Sequence, residues 1–226
     1  MSLHKITIVW ALPLIVLLVA FFAYETWMSM PLHGKQLVRW WNNHNITYYP
    51  GYLWIIGGSI IFPFMGRFWK KNMEMTRTFT HELTHTITAL LTFREVTEFH
   101  ARRRGDGMIY SIGNQFSHFL VSLAPYCFPI YTVPLLMLRG LITTSMLPII
   151  DVLIGFTIGL HIDCIKRQIG NHQTDIIQWP IYLNYTYIIA ILLFFLNLIL
   201  ISFKPKNNIF YAFIDYAHDL WQLIVK

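Results

Sequence analysis

Residues 80–88 read THELTHTIT. The stretch places Glu82 between His81 and His85, inside a segment that is otherwise apolar on its C-terminal side. Two histidines four residues apart lie on one face of a helix, one turn from each other. At that separation two imidazole nitrogens can share one Zn²⁺, with bonds of about 2.1 Å. Glu82 is rotated from His81 by about 100° around the axis. Its carboxylate can therefore reach a water on the metal without binding the metal. This is the HExxH arrangement, in which a metal acidifies water and the glutamate takes its proton. Thr78, Thr88 and Thr92 continue the polar stripe above and below. Such a stripe is expected to face the interior of a helix bundle, because a carboxylate exposed to hydrocarbon costs roughly 2.5 kcal/mol or more.

The rest of the chain supplies the hydrocarbon. Of its 226 residues, 55% are hydrophobic and 12% charged, against about 25% charged in a soluble domain. Six apolar segments approach the length of a bilayer crossing. They run from Ile6 to Tyr24, Gly51 to Trp69, Thr76 to Phe93, Phe116 to Leu138, Leu141 to Ile162 and Ile181 to Ile201. The expectation is an all-α membrane protein of about six transmembrane helices, forming a single polytopic domain over 1–226. The first segment follows a lone Lys5 and is read as a retained span. Residues 25–50, rich in Trp, Tyr and His, are read as a headgroup-level loop. Residues 209–225 alternate apolar and polar positions and predict an amphipathic surface helix. Between the third and fourth segments, Gly105-Asp106-Gly107 separates two extended runs, Glu95 to His100 and Met108 to Ile112. That pattern predicts a short β-hairpin after the HExxH helix.

The net charge of +6 fits basic residues flanking spans and facing anionic lipid. No basic stretch is interleaved with aromatics, so no nucleic-acid partner is expected. The 17 basic residues divide nine to eight between the two expected sides, which leaves orientation open by the positive-inside rule. Cys127 and Cys164 both sit in apolar segments and are read as small buried hydrophobes. His118 is read as a packed polar residue. Pro125, Pro129 and Pro134 would kink the fourth span and free backbone carbonyls.

A catalytic zinc needs a third protein ligand and an open position for water. The segment GLHIDCIKRQIGNHQTDI, residues 159–176, offers His161, Asp163, His172 and Asp175. The third and fifth spans run in one direction, so the end of the fifth can meet the HExxH helix. Asn114 and Gln115 either line the site and bind substrate or cap the start of the fourth span.

HELTH at 81–85 within a span, the REVTEFHARRRGDGMIYS segment after it, and SLAPY at 122–126 together resemble the M50 family. These are the intramembrane site-2 protease-like zinc metallopeptidases, in their compact form without a PDZ domain. The resemblance covers residues 76–180. It implies an aspartate as third ligand, often before glycine in the family. No such Asp-Gly follows the fifth segment, and Asp175 is the first choice, with Asp163 the runner-up. It also implies one Zn²⁺ per chain, held by His81, His85 and Asp175, with Glu82 as general base. The substrate would be a membrane-spanning or membrane-associated protein, presented in extended form by the hairpin. The location implied is a bacterial inner membrane, with multiple crossings. Two other classes stand beside this one: an inactive zinc-binding relative that holds a partner's span, and a transporter that uses buried polar residues as an ion path.

Overall fold

The computed structural model describes residues 12–43, 51–68, 70–101, 107–169 and 173–202, together with positions 214, 218 and 221. The start of the first expected span, the hairpin tip at 102–106 and nearly all of the expected surface helix at 209–225 lie outside the described residues. The fold is mostly helical. In chain order the helices are α1 (Leu12–Asn43), α2 (Gly51–Phe68), α3 (Lys70–Leu91), α4 (Gln115–Leu123), α5 (Thr132–Arg139), α6 (Leu147–Gln168), α7 (Thr174–Ile177) and α8 (Ile181–Ser202). Strands β1 (Glu95–Ala101) and β2 (Gly107–Ile112) form the predicted hairpin between α3 and α4. Their pairing is antiparallel, with Glu95 opposite Ile112 and Ala101 opposite Gly107, and an irregularity between Val96 and Glu98. The residue between them, Thr97, donates its hydroxyl to the Tyr110 carbonyl at 3.2 Å.

Among the described residues, α6 and α8 are long and apolar enough to cross a membrane. Leu12–Met28 within α1 forms a shorter apolar stretch. Three expectations change. The segment read as a loop at 25–50 is helical as far as Asn43. A proline inside a helix removes one hydrogen bond and kinks the axis, and the helix runs on past Pro31. The fourth expected span is two short helices, α4 and α5, joined by a 3₁₀ turn at Ala124–Tyr126. Pro125 and Pro129 fall in the junction, where neither can donate to the turn before it. Finally, α6 continues six residues beyond Ile162, to Gln168. Its charged end stops the apolar run but not the helix.

Glycine sets how closely the long helices approach. A Cβ on Gly155 would collide with the Ile55 carbonyl, and one on Gly58 with that of Val152. The α2 and α6 backbones therefore touch, and the Ser59 hydroxyl donates across the seam to the Gly155 carbonyl at 2.9 Å. On the other side α1 packs on α8, where the Asn197 side chain donates to the Phe22 carbonyl at 2.8 Å. The α5–α6–α8 corner is closed by Arg139. It pairs with fully buried Asp151 at 2.7 Å and donates to the Ser202 carbonyl at 2.7 Å.

α3 is threonine-rich and yet much of it is buried. Several of its hydroxyls bond within the helix, among them Thr84 to the Thr80 carbonyl at 2.7 Å and Thr86 to that of Glu82 at 2.8 Å; that of Thr80 meets the Tyr131 hydroxyl at 3.4 Å, and that of Thr88 is unpartnered among the described residues. A hydroxyl satisfied this way carries no unmet hydrogen bond into an apolar setting. One side of α3 meets the hairpin, and another meets α4 and the 3₁₀ turn.

The glycine seam yields a paired test by thermal unfolding in detergent. Gly155→Ala forces a methyl into backbone and should cost about 1–3 kcal/mol, lowering Tm by several degrees. Gly57→Ala, where a Cβ meets nothing within 4 Å, should leave Tm unchanged or raise it.

Candidate metal centre

His81, Glu82 and His85 occupy the middle of α3, and all three are buried. The two imidazoles stand edge to face, their centroids 4.7 Å apart. Nε2 of His81 lies 3.1 Å from Nε2 of His85. Oδ2 of Asp175 lies 3.4 Å from the first and 3.3 Å from the second. Ligands bonded at about 2.1 Å to a tetrahedral zinc stand about 3.4 Å from each other. The triangle is the size a single ion requires.

The protons on the rings sharpen the fit. His85 Nδ1 is 2.7 Å from the Val121 carbonyl, which can only accept, so Nδ1 carries the proton. That carbonyl is available for a reason in the sequence. Four residues on stands Pro125, which has no N–H to donate; the Ala124 amide takes one lone pair, and His85 takes the other. His81 Nδ1 lies 3.2 Å from Gln168 Oε1. The Gln168 amide nitrogen is turned toward the Arg77 carbonyl at 3.5 Å, which leaves its oxygen for His81. Both neutral rings therefore present Nε2 lone pairs to each other and to a carboxylate oxygen. Three lone pairs at this range repel unless a cation lies between them. Outer partners that hold Nδ1–H in this way are the usual support of a histidine bound through Nε2.

Asp175 comes from α7, a single turn that follows α6. Burial raises its carboxyl, and positive charge at the two Nε2 positions overturns that effect and holds it well below the usual carboxylate range. Protonated rings supply that charge in the metal-free site, and a metal ion supplies it between neutral rings. A metal ligand must be deprotonated, and Asp175 meets that condition.

The Glu82 side chain reaches the hairpin. A Cβ on Gly107 would collide with its carboxylate, so the first residue of β2 rests directly on Glu82. Only glycine permits that approach. Tyr126, fully buried, sets its ring edge to face against His81 at 5.6 Å.

The other candidates separate from this cluster. Asp163 is held by Arg77 at 2.6 Å and by Arg167 at 3.0 Å. This ion pair lashes α6 to α3 one turn before His81. His161 is half-buried in α6, and its buried Nε2 has no hydrogen-bond partner among the described residues. His172 lies outside the described residues. Cys127 and Cys164 are both free and buried. His118 bonds the Gln178 side chain at 2.8 Å. Asn114 caps α4, its side chain accepting from the Ser117 amide at 2.7 Å. Gln115 lines a separate cavity beside Arg94.

Sequence reading passed over Gln168 and Gly107. The available signal for Gln168 was a neutral polar side chain one turn beyond Asp163–Cys164 on the helix. For Gly107 it was a glycine opening a strand rather than sitting in the turn.

A family model described as Peptidase M50B-like matches residues 43–163, just over half of the chain. The match takes in His81, Glu82 and His85 and stops short of Asp175. No curated protein and no solved structure matches the chain.

Removing the His81 support should weaken the centre without removing a ligand. Gln168→Leu should lower zinc affinity by about 10- to 100-fold, read by competition with a chromophoric chelator. Asp163→Asn should leave zinc affinity within about threefold of wild type while lowering Tm, since Asp163 serves the α3–α6 ion pair.

Proposed function

Because the chain belongs to the Peptidase M50B-like family, we propose that it is an intramembrane zinc metalloprotease. The observation that carries this reading is the convergence of His81 Nε2, His85 Nε2 and an Asp175 oxygen within 4.8 Å of one another, with Glu82 beside them. Peptidases of this family are zinc-dependent in general. Zn²⁺ would be held by His81, His85 and Asp175, one ion per chain. Bound there, zinc would acidify a water and polarise the scissile carbonyl.

The chain's own residues do the rest. Glu82 takes the proton of the attacking water and passes it to the leaving amine. Val121 and Gln168 hold the two rings so that Nε2 and not Nδ1 faces the reaction. The hairpin supplies the substrate's place. Each strand of a two-stranded sheet has one unpaired edge, and an extended peptide can add to it. Gly107 brings β2 onto Glu82, so a peptide paired near that end lies beside the base. A helical substrate hides its carbonyls in hydrogen bonds, so the segment cleaved must be locally unwound.

The membrane setting follows from the same chain. Large apolar side chains stand outward, among them Phe68 at 88% and Leu141 at 75% exposed. A soluble surface rarely gathers so many. We place six crossings in one polytopic domain: the apolar part of α1, then α2, α3, the broken α4–α5 pair, α6 and α8. The bacterial inner membrane is the setting we assign, with membrane-spanning or membrane-associated proteins as substrates.

The decisive variant is Glu82→Gln, which keeps every proposed ligand. In cells expressing wild type, new protein N-termini should arise within or beside spans of other membrane proteins. With Glu82→Gln their rate of formation should fall by at least about 100-fold, at unchanged zinc content. Equal termini in both strains, or none with wild type, would exclude a protease.

A further inference from the structure

Arg94 lies just past α3 and is 7% exposed. Its guanidinium donates to the Ser111 hydroxyl at 3.0 Å, the Ser111 carbonyl at 2.8 Å, the Asn114 carbonyl at 2.8 Å and the Ser117 hydroxyl at 2.9 Å. All four acceptors are neutral. Arg94 forms no ion pair with a carboxylate among the described residues. Guanidinium has five N–H donors, so one remains on Nη2. A buried cation with neutral partners only is costly, and an anion beside it offsets that cost.

There is room for one. Arg94 lines a cavity of about 340 Å³ with Tyr110, Ser111, Gln115 and His118. The first turn of the nine-residue α4 forms part of its wall, and a helix N-terminus carries partial positive charge.

Next in sequence to the lining residues stand exposed apolar side chains: Phe93 beside Arg94 is 96% exposed, Ile112 beside Ser111 65% and Phe116 beside Gln115 59%. Phe93 is also strained, with φ at 56°. It holds the left-handed position that closes α3. The Arg94 amide bonds the Ala89 carbonyl at 2.8 Å and the Phe93 amide that of Leu90 at 3.1 Å. Glycine ordinarily fills this place. At this turn the chain passes from an exposed ring, Phe93, to a buried guanidinium, Arg94.

We propose that this cavity binds the phosphate of an anionic phospholipid, with Arg94 and the α4 N-terminus on the phosphate and Phe93, Ile112 and Phe116 against the acyl chains. A soluble anion has no use for the exposed apolar side chains that flank the lining residues. A lipid at the bilayer interface uses both parts of the site, cationic and apolar. The proposal rests on the chain residing in a membrane and is independent of zinc or proteolysis.

Native mass spectrometry of the full chain in detergent tests it, with phosphatidylglycerol, phosphatidylcholine, inorganic phosphate and a short peptide bearing a free C-terminal carboxylate as probes. Wild type should retain one phosphatidylglycerol at least fivefold more tightly than phosphatidylcholine. Arg94→Gln should lower that retention at least fivefold. Phe93→Gly should lower it too, at an unchanged or higher Tm, which separates lost binding from lost folding. Equal retention of both lipids, or full retention in both variants, would overturn the proposal. So would displacement by millimolar phosphate, which marks a free-anion site. Displacement by the peptide would assign the cavity to a substrate terminus and overturn it equally.

Discussion

Three lone pairs meet in the middle of this protein. Two belong to imidazole nitrogens 3.1 Å apart and one to a carboxylate oxygen within 3.4 Å of both. Left alone, that arrangement is repulsive, and burial strengthens the repulsion by removing water. A dication reverses the sign of each term. The rest of the architecture can be understood as the means of holding these three atoms together and of setting Glu82 and the hairpin beside them.

Each support traces to a simple property of one residue. Proline lacks an N–H, so Pro125 leaves the Val121 carbonyl open to His85. Glycine lacks a Cβ, so Gly107 lets β2 lie on Glu82, and Gly155 lets α6 lie on α2. With α6 so placed, its polar end reaches α3, where the Arg77–Asp163 pair fastens it and Gln168 turns its amide oxygen to His81. One further turn of chain delivers Asp175. Threonine hydroxyls that bond within α3, at Thr78, Thr84 and Thr86, let this helix bring its three chemical groups inward with few other unmet polar atoms. Arg94 joins the end of α3, β2 and α4 through four hydrogen bonds and so sets where the hairpin stands.

How much of this could be read beforehand depended on the range of the interaction. HExxH is a local pattern with a helical period, and the hairpin is a local pattern of extended runs about a Gly-Asp-Gly turn. Both were legible, the strands to within a residue or two. Asp175 was preferred through family resemblance, since nothing local to it distinguishes one aspartate from another. Asp163 looked as able, but it is engaged elsewhere, by Arg77 across the fold and by Arg167 one turn on. The break in the fourth span was partly legible in its prolines, but hydropathy alone ran across it. The reach of α1 through residues 25–43 was hidden by Trp, His and Pro, which suit a loop and do not forbid a helix. Gln168 and Gly107 act only across the fold, and their roles could not be read from neighbours in sequence.

The central claim is that a single zinc sits among His81, His85 and Asp175. X-ray absorption at the zinc edge of the purified, zinc-loaded chain addresses it directly, with wild type measured beside Asp175→Ala. The account predicts about one zinc per chain, bound by two imidazoles with the remaining light ligands at about 2.0–2.1 Å, and a large loss of zinc in the variant. A sulfur scatterer near 2.3 Å, a shell without imidazole, or an unchanged spectrum in Asp175→Ala would contradict it.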